Sequence, residues 1–204
     1  MNGQLQFEQP ELLSVADADI RLWRNADLGT DDQLLLESLI AETPWRQEEI
    51  TVWGKSHPQP RLIAWYGEDT YTYSGLALDP LPLTKPLQDI RRHVEAMCGA
   101  SFNSVLLNYY RDHRDGMGFH ADDEPELGPS PTIASVSLGE VRRFVLKHRH
   151  NKDIADIKLP LPSGSVLVMA GTTQANWKHG IPKESKSCGP RVNLTFRSIR
   201  RPEA

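Results

Sequence analysis

After Gly99 the chain carries no apolar run long enough for a buried helix. Instead SVLLNYY, TIASVSLG, RRFVLK, DIADIKLPL, GSVLVMAG and RVNLTFRSI follow one another. Each spans roughly four to eight residues, is rich in β-branched side chains and is bounded by Gly, Pro, Asn or Asp, as short strands are. Such a series buries its apolar sides by stacking sheets, in a sandwich or jelly roll. Two helices precede it. DDQLLLESLIAET places Leu35, Leu39 and Ile40 on one face, with Thr30 or Asp31 as the cap. KPLQDIRRHVEAMCG (85–99) spaces Leu87, Ile90, Val94 and Met97 helically and stops at Gly99. Helices followed by strands predict an α+β chain: a sandwich or jelly roll with N-terminal helices backing one sheet.

Residues 1–28 show no strong period and read as an extension with short strands or turns. EEITVWGKSHPQPRLIAWYG holds two β-rich runs, 49–53 and 61–66, around a Gly/His/Pro-rich connection. TYTYSG (70–75) alternates, and DPLPLTKP (79–86) is a Pro-rich turn. The 204 residues suffice for one domain with a substantial core. No apolar run approaches the ~18 residues of a membrane span. MNGQLQFEQPELL lacks the basic and apolar regions of a signal peptide, so a secreted protein is not expected. Cys98 and Cys188 fall outside any C-x-x-C pattern and read as reduced thiols.

The net charge of −4 argues against a general polyanion binder, because phosphate contacts need local Lys and Arg. The charge is nonetheless patterned, acidic early and basic late. Arg142, Arg143, Lys147, His148, Arg149 and Lys152 form the densest basic run. They fit phosphate contacts, and equally a β-edge defended by charge.

Within NYYRDHRDGMGFHADDE (108–124), His120 and Asp122 form an H-x-D pair. Two side chains one residue apart on an extended backbone point to the same side, so an imidazole and a carboxylate converge. His179, in NWKHGIP, is the candidate third ligand. Two His and one carboxylate with open positions suit non-haem Fe(II), although zinc accepts the same ligand types. Alone, an H-x-D pair is as readily an exposed polar loop. RVNLTFR sharpens the choice: Arg191, Asn193, Thr195 and Arg197 share one strand face, and Val192, Leu194 and Phe196 the other. Two guanidiniums facing an interior need anions, and a dicarboxylate pairs with them bidentately. An edge strand with exposed arginines is the other reading.

Asn108-x-Tyr110, His120-x-Asp122 with Asp123 and Glu124, His179, and Arg191 to Arg197 together resemble the AlkB family of Fe(II)/2-oxoglutarate-dependent dioxygenases, especially its members that repair alkylated DNA. The resemblance covers roughly residues 45–201. It implies a dioxygenase domain at 45–204, with nucleotide-recognition hairpins at about 45–78 and a double-stranded β-helix (jelly roll) core at about 100–200, after an N-terminal extension and first helix (1–44). It implies that His120, Asp122 and His179 bind Fe(II). Arg191, supported by Tyr110 and Asn193, would hold the far carboxylate of 2-oxoglutarate, and Arg197 and Asn108 its near end. With O2 as the second cosubstrate, the implied chemistry oxidises N-methyl groups of bases such as N1-methyladenine and N3-methylcytosine, releasing formaldehyde, succinate and CO2.

The implied partner is alkylated DNA. RNA bases or a protein side chain are the alternatives. No membrane partner is expected, and the chain is expected to be a monomer, cytoplasmic or nuclear. Carboxylates at Asp123 and Glu124 would favour cationic lesions, with surface acids the other reading. A flipped base needs an aromatic platform: Tyr73, opposite His179 or Trp177, with Tyr66 and Tyr71 in reserve. Trp53, in ITVWGKSHPQPR, sits where duplex-acting relatives insert an aromatic wedge, and a core tryptophan is the competing role. Arg61 follows on the same segment and could contact the lesion strand.

Overall fold

In the computed structural model the described residues are 8–52, 54–67, 71–73, 76–78 and 80–200, without the side chains of 51, 52, 55, 71–73 and 76–78. The chain begins with strands β1 (Glu11–Leu13) and β2 (Asp19–Trp23) and helix α1 (Asp32–Glu42). Hairpin β3 (Glu49–Val52)–β4 (Lys55–Pro58), strand β5 (Leu62–Gly67) and hairpin β6 (Tyr71–Tyr73)–β7 (Leu76–Leu78) lead to helix α2 (Lys85–Cys98). Then come β8 (Ser104–Tyr110), β9 (Met117–His120), β10 (Ile133–Gly139), β11 (Arg142–His148), β12 (Ile157–Leu161) and β13 (Ser165–Ala170). The short helix α3 (Thr173–Asn176), β14 (Trp177–Ile181) and β15 (Arg191–Arg197) complete it.

The strands form a seven-stranded sheet, β1-β2-β13-β10-β15-β8-β5, and a four-stranded sheet, β12-β11-β14-β9, with antiparallel pairings throughout. Two apolar clusters separate the layers. One holds Leu35, Leu39, Leu87, Ile90 and Val94 of the helices against Val192, Leu194 and Phe196 of β15, so the helices back the large sheet. The other joins Ile63, Leu106, Leu167 and Met169 of the large sheet to Phe144, Leu146, Leu161 and Trp177 of the small one. The two sheets thus face each other across a shared interior.

Local chemistry explains the helix limits. The Asp31 carboxylate accepts from Gln33 N and Leu34 N and starts α1, while Leu35, Leu36 and Leu39 turn inward. α2 ends at Gly99, whose φ of 66° suits a residue without a Cβ and whose N–H reaches Glu95 O.

One feature of the early chain differs from the expectation. The short strands of segment 1–28 are no separate extension: β2 pairs with β13 and thereby joins the large sheet. Weak side-chain periodicity concealed this, because backbone pairing to a distant strand supplied what the local pattern lacked. The Gly/His/Pro-rich connection contains β4, which completes a hairpin with β3 within the segment where hairpins were expected.

Burial sets the energetic stakes. Leu194 is inaccessible to solvent, whereas Leu34 is 65% exposed on α1. Leu194→Ala is expected to lower stability by about 2–5 kcal/mol, and Leu34→Ala by no more than about 0.5 kcal/mol. Urea titrations with matching m-values check both, and equal losses would contradict this layering.

Candidate metal and cosubstrate site

β9 and β14 are neighbours in the small sheet, and their register sets His120 opposite His179. The two imidazole centroids lie 4.4 Å apart. The pairing shifts register between His179 and Ile181, and Gly180 lies in this shift. A Cβ there would come 2.9 Å from Met117 O, so the two strands approach closely only because the residue is glycine. Asp122 lies just past the end of β9, fully buried. Its Oδ1 is 3.8 Å from His120 Nε2, and its Oδ2 is 3.9 Å from His179 Nε2. One ligand atom from each of the three residues falls within 4.8 Å of the others.

Each member of this group is fixed by another residue. The His120 Nδ1–H donates to Gly118 O (3.0 Å), which leaves Nε2 facing the carboxylate. The His179 ring stacks on Phe144, 5.2 Å between centroids at 18°. The Asp122 backbone N–H donates to Gln174 Oε1 (2.9 Å), and Arg197 Nη2 donates to Asp122 Oδ1 (2.7 Å). Among the described residues Asp122 Oδ2 has no hydrogen-bond partner. A buried carboxylate oxygen left bare beside an imidazole, with a second imidazole at the other oxygen, is suited to meet a cation.

The charge states agree. Burial alone would raise the Asp122 carboxyl, but Arg197 and the two imidazoles overcome it and hold its pKa at about 2. Burial, His120 and Arg197 push His179 down to about 3 against the pull of Asp122. Burial also lowers His120. At neutral pH the trio is therefore two neutral imidazoles and one carboxylate, the donor set that suits a divalent first-row metal.

The same cavity is lined by Tyr110, Ser135, Arg191, Asn193, Thr195 and Arg197. Pairing of β15 with β10 and β8 brings these polar positions together. Arg191 Nη2 donates to Ser137 Oγ (2.9 Å). Its Nε and Nη1 have no acceptor at bonding geometry among the described residues, although Tyr110 acts favourably on the guanidinium. Burial lowers its pKa to about 10, so it is charged at neutral pH. A buried guanidinium edge facing a cavity fits a carboxylate. Asn193 is held by Ser135 Oγ (2.7 Å) and Val136 O (2.9 Å), and its Oδ1 accepts from Thr195.

Other residues singled out from the sequence lie as follows. Asn108 is buried, and its Oδ1 accepts from Arg61 Nε (2.8 Å). Arg61 is thus turned into the protein, where its charge reaches His120. Asp123 is exposed and paired with Arg149 (2.7 Å). Glu124 is half-buried at the start of a 3-10 turn, Pro125–Leu127. Trp53 and the side chains of Tyr71 and Tyr73 lie outside the described residues. Trp177 is no open stacking face: it is buried, and its Nε1 donates to Ala16 O (2.9 Å). Tyr66 is likewise a core residue.

The basic run does not form one exposed strip. Arg142 is fully buried, Arg143 pairs with Glu184, Lys147 with Asp156, and Arg149 with Asp123. Strand alternation turned Arg142 inward, and local acids met most of the others. Ser135, Ser137, Phe144 and Gln174 are site residues not singled out from the sequence. The Ser-x-Ser alternation in TIASVSLG was the available signal for the first two. Nothing local marks Gln174.

Comparison with known proteins agrees with this geometry. The family model described as the 2OG-Fe(II) oxygenase superfamily matches residues 29–197. The alpha-ketoglutarate-dependent dioxygenase alkB homolog 3 of Mus musculus is 43% identical over 173 residues, which is 81% of this chain and 60% of that protein. The DNA oxidative demethylase ALKBH2 of Homo sapiens is 46% identical over 158 residues, 74% of this chain and 60% of that protein. The chain therefore spans about three fifths of the length of these relatives. The solved structure of OsALKBH1 shares the fold, with a TM-score of 0.61 at 19% identity, covering 92% of this chain and 100% of that one.

Because Asp122 is ionised and each neutral imidazole keeps one unprotonated ring nitrogen at pH 7, loading a divalent metal on the three candidate ligands should release almost no protons. Calorimetry of anaerobic Fe(II) or Mn(II) binding in buffers of different ionisation enthalpy measures this. Release of more than about half a proton per ion would contradict the charge states given above.

Proposed function

Because this chain belongs to the 2OG-Fe(II) oxygenase superfamily, and within it to the AlkB family, we propose that it removes N-alkyl groups oxidatively from nucleobases in DNA, such as N1-methyladenine and N3-methylcytosine. The observation that carries this is the convergence of His120, Asp122 and His179, with the two histidines lining one cavity together with the Arg191 edge that has no acceptor among the described residues. When bound, Fe(II) with O2 and 2-oxoglutarate supplies the oxidising power: the methyl carbon leaves as formaldehyde and the 2-oxo acid as succinate and CO2.

The protein's own share is positioning and charge. His120, Asp122 and His179 hold the metal, with Arg197 and Gln174 keeping Asp122 in place. Arg191 takes the far carboxylate, with Tyr110 and Asn193 beside it, while Arg197 and Asn108 serve the near end. The closely packed cavity between the facing sheets keeps bulk water from the reacting centre. In this reading those sheets are the two halves of a jelly roll, residues 45–204 form the dioxygenase domain, and the chain works as a cytoplasmic or nuclear monomer. Among the described residues no helix is long and apolar enough to cross a membrane.

For the base itself, the sequence supports Tyr73 as the stacking platform and Trp53 as the wedge into a duplex. Arg61 steadies the site through Asn108. Asp123 and Glu124 favour a cationic lesion, and the Arg149 partner tempers the contribution of Asp123.

The decisive experiment is mass spectrometry of methylated oligonucleotides incubated with enzyme, Fe(II) and 2-oxoglutarate, with single- and double-stranded DNA and RNA run in parallel. Loss of 14 mass units from DNA (about one CH2) with stoichiometric succinate is expected. Turnover of RNA alone would reassign the substrate, and no succinate under any condition would sink the oxygenase assignment. Trp53→Ala should slow duplex substrates more than single strands. Asp123→Asn should slow cationic lesions by no more than about five-fold, the ceiling for an exposed charge pair, and leave neutral lesions unchanged. An equal loss on both would remove charge selection.

A further inference from the structure

Arg142 is a buried charge that the chemistry above does not use. It opens β11, and its guanidinium is bonded to backbone carbonyls alone. Nη1 donates to Asp112 O (3.3 Å), and Nη2 donates to both Asp115 O and Pro182 O (2.8 Å each). Its Nε has no hydrogen-bond partner among the described residues. The nearby acids are engaged elsewhere, Asp115 by Arg111 and Glu184 by Arg143. Arg142 is therefore a fully buried cation with no carboxylate to balance it among the described residues, an arrangement that is costly unless something else compensates.

Its position suggests what compensates. The Arg142 guanidinium carbon lies 5.7 Å from the centroid of the Tyr110 ring, and that of Arg191 lies 5.2 Å from the same centroid. Arg191 and Tyr110 line the cavity; Arg142 does not. Two like charges around one ring repel, and Arg142 adds to the fall in the Arg191 pKa that burial begins. Carbonyl dipoles hold Arg142 in place but bring no net charge. Negative charge at the Arg191 end of the cavity would relieve both cations at once.

We propose that Arg142 is a specificity-determining residue for the cosubstrate: a cation set beside Tyr110, outside the cavity lining, that makes the Arg191 end select a dianionic 2-oxo acid over a monoanionic one. The inference rests on the placement of the far carboxylate at Arg191. The same guanidinium ties the loop before β9 to the chain leaving β14, so its charge is fixed relative to both metal-ligand strands. Its effect on selectivity is electrostatic, which separates it from a purely structural role.

The test is an equilibrium binding ratio. Calorimetry on the Mn(II)-loaded protein would give affinities for 2-oxoglutarate and for 2-oxopentanoate, which keeps the oxo-acid head and chain but lacks the second carboxylate. Arg191→Met should bring their ratio close to unity; an unchanged ratio would remove the carboxylate from Arg191. With that established, Arg142→Gln should lower the ratio about ten-fold, the scale of one charge interaction at an effective dielectric of roughly 20. Arg142→Lys should keep most of it. A ratio unchanged in Arg142→Gln overturns the proposal, and so does a loss in Arg142→Lys as large as in Arg142→Gln. Cys188 is a half-buried residue whose thiol feels the Arg142 charge. Cys188→Asp leaves Arg142 and its hydrogen bonds intact and should lower the ratio about two- to five-fold. If Arg142→Gln is not recovered folded, an unchanged ratio in Cys188→Asp refutes the proposal by itself.

Discussion

The structure depends on a carboxylate kept ionised without water. Asp122 is fully buried, and Arg197, itself almost fully buried, donates to it at 2.7 Å. Such a pair is costly to assemble and costly to break, roughly 3–5 kcal/mol when one partner is removed. It persists here because it does more than stabilise. Arg197 takes one carboxylate oxygen and, among the described residues, leaves the other without a hydrogen bond, beside His179. The candidate metal site is the unsatisfied remainder of that pair, and burial favours the neutral form of both histidines.

The other half of the site follows from β15, the strand that supplies Arg197. Inside the large sheet, between β10 and β8, it shows each face to a different surrounding. Val192, Leu194 and Phe196 pack against the helices, while Arg191, Asn193, Thr195 and Arg197 face the interior between the sheets. A polar face is tolerated there because β10 sets Ser135 and Ser137 opposite Thr195 and Asn193, from where they bond Asn193 and Arg191 diagonally. What those serines leave unbonded on Arg191 is available to a carboxylate. The candidate metal and cosubstrate groups are thus ones that the folded chain keeps only partly satisfied, and β15 touches both, through Arg197 at Asp122 and through Arg191.

Much of this was legible in order along the chain. The period-two alternation of RVNLTFR gave the correct face for every residue, because strand geometry leaves no other choice once one face is buried. The helices were equally plain, with Leu87, Ile90 and Val94 at helical spacing and Gly99 at the stop. Less legible was what each polar group would meet. Arg142 looked like one more member of a basic run, yet it is the buried one, while its neighbours Arg143 and Arg149 found acids at Glu184 and Asp123. Trp177 looked available as a stacking face until Ala16, 161 residues earlier, proved to accept its N–H. Such partners are remote in sequence, and no local pattern encodes them.

By itself, the sequence determined which residues could be ligands and on which side of a strand each would stand, because residue chemistry and backbone period are local properties. It also determined the family, through motifs whose order survives in the linear chain. Only the tertiary structure decided that β9 and β14 lie side by side, that His120 faces His179, and that Arg197 rather than water holds Asp122. It alone also decided that Arg61 turns inward to Asn108 and that Asp123 meets a cation before any substrate does. The physical reason is the same in each case. A side chain's charge state and freedom depend on burial and on partners, and both come from strand pairings between segments far apart in the chain.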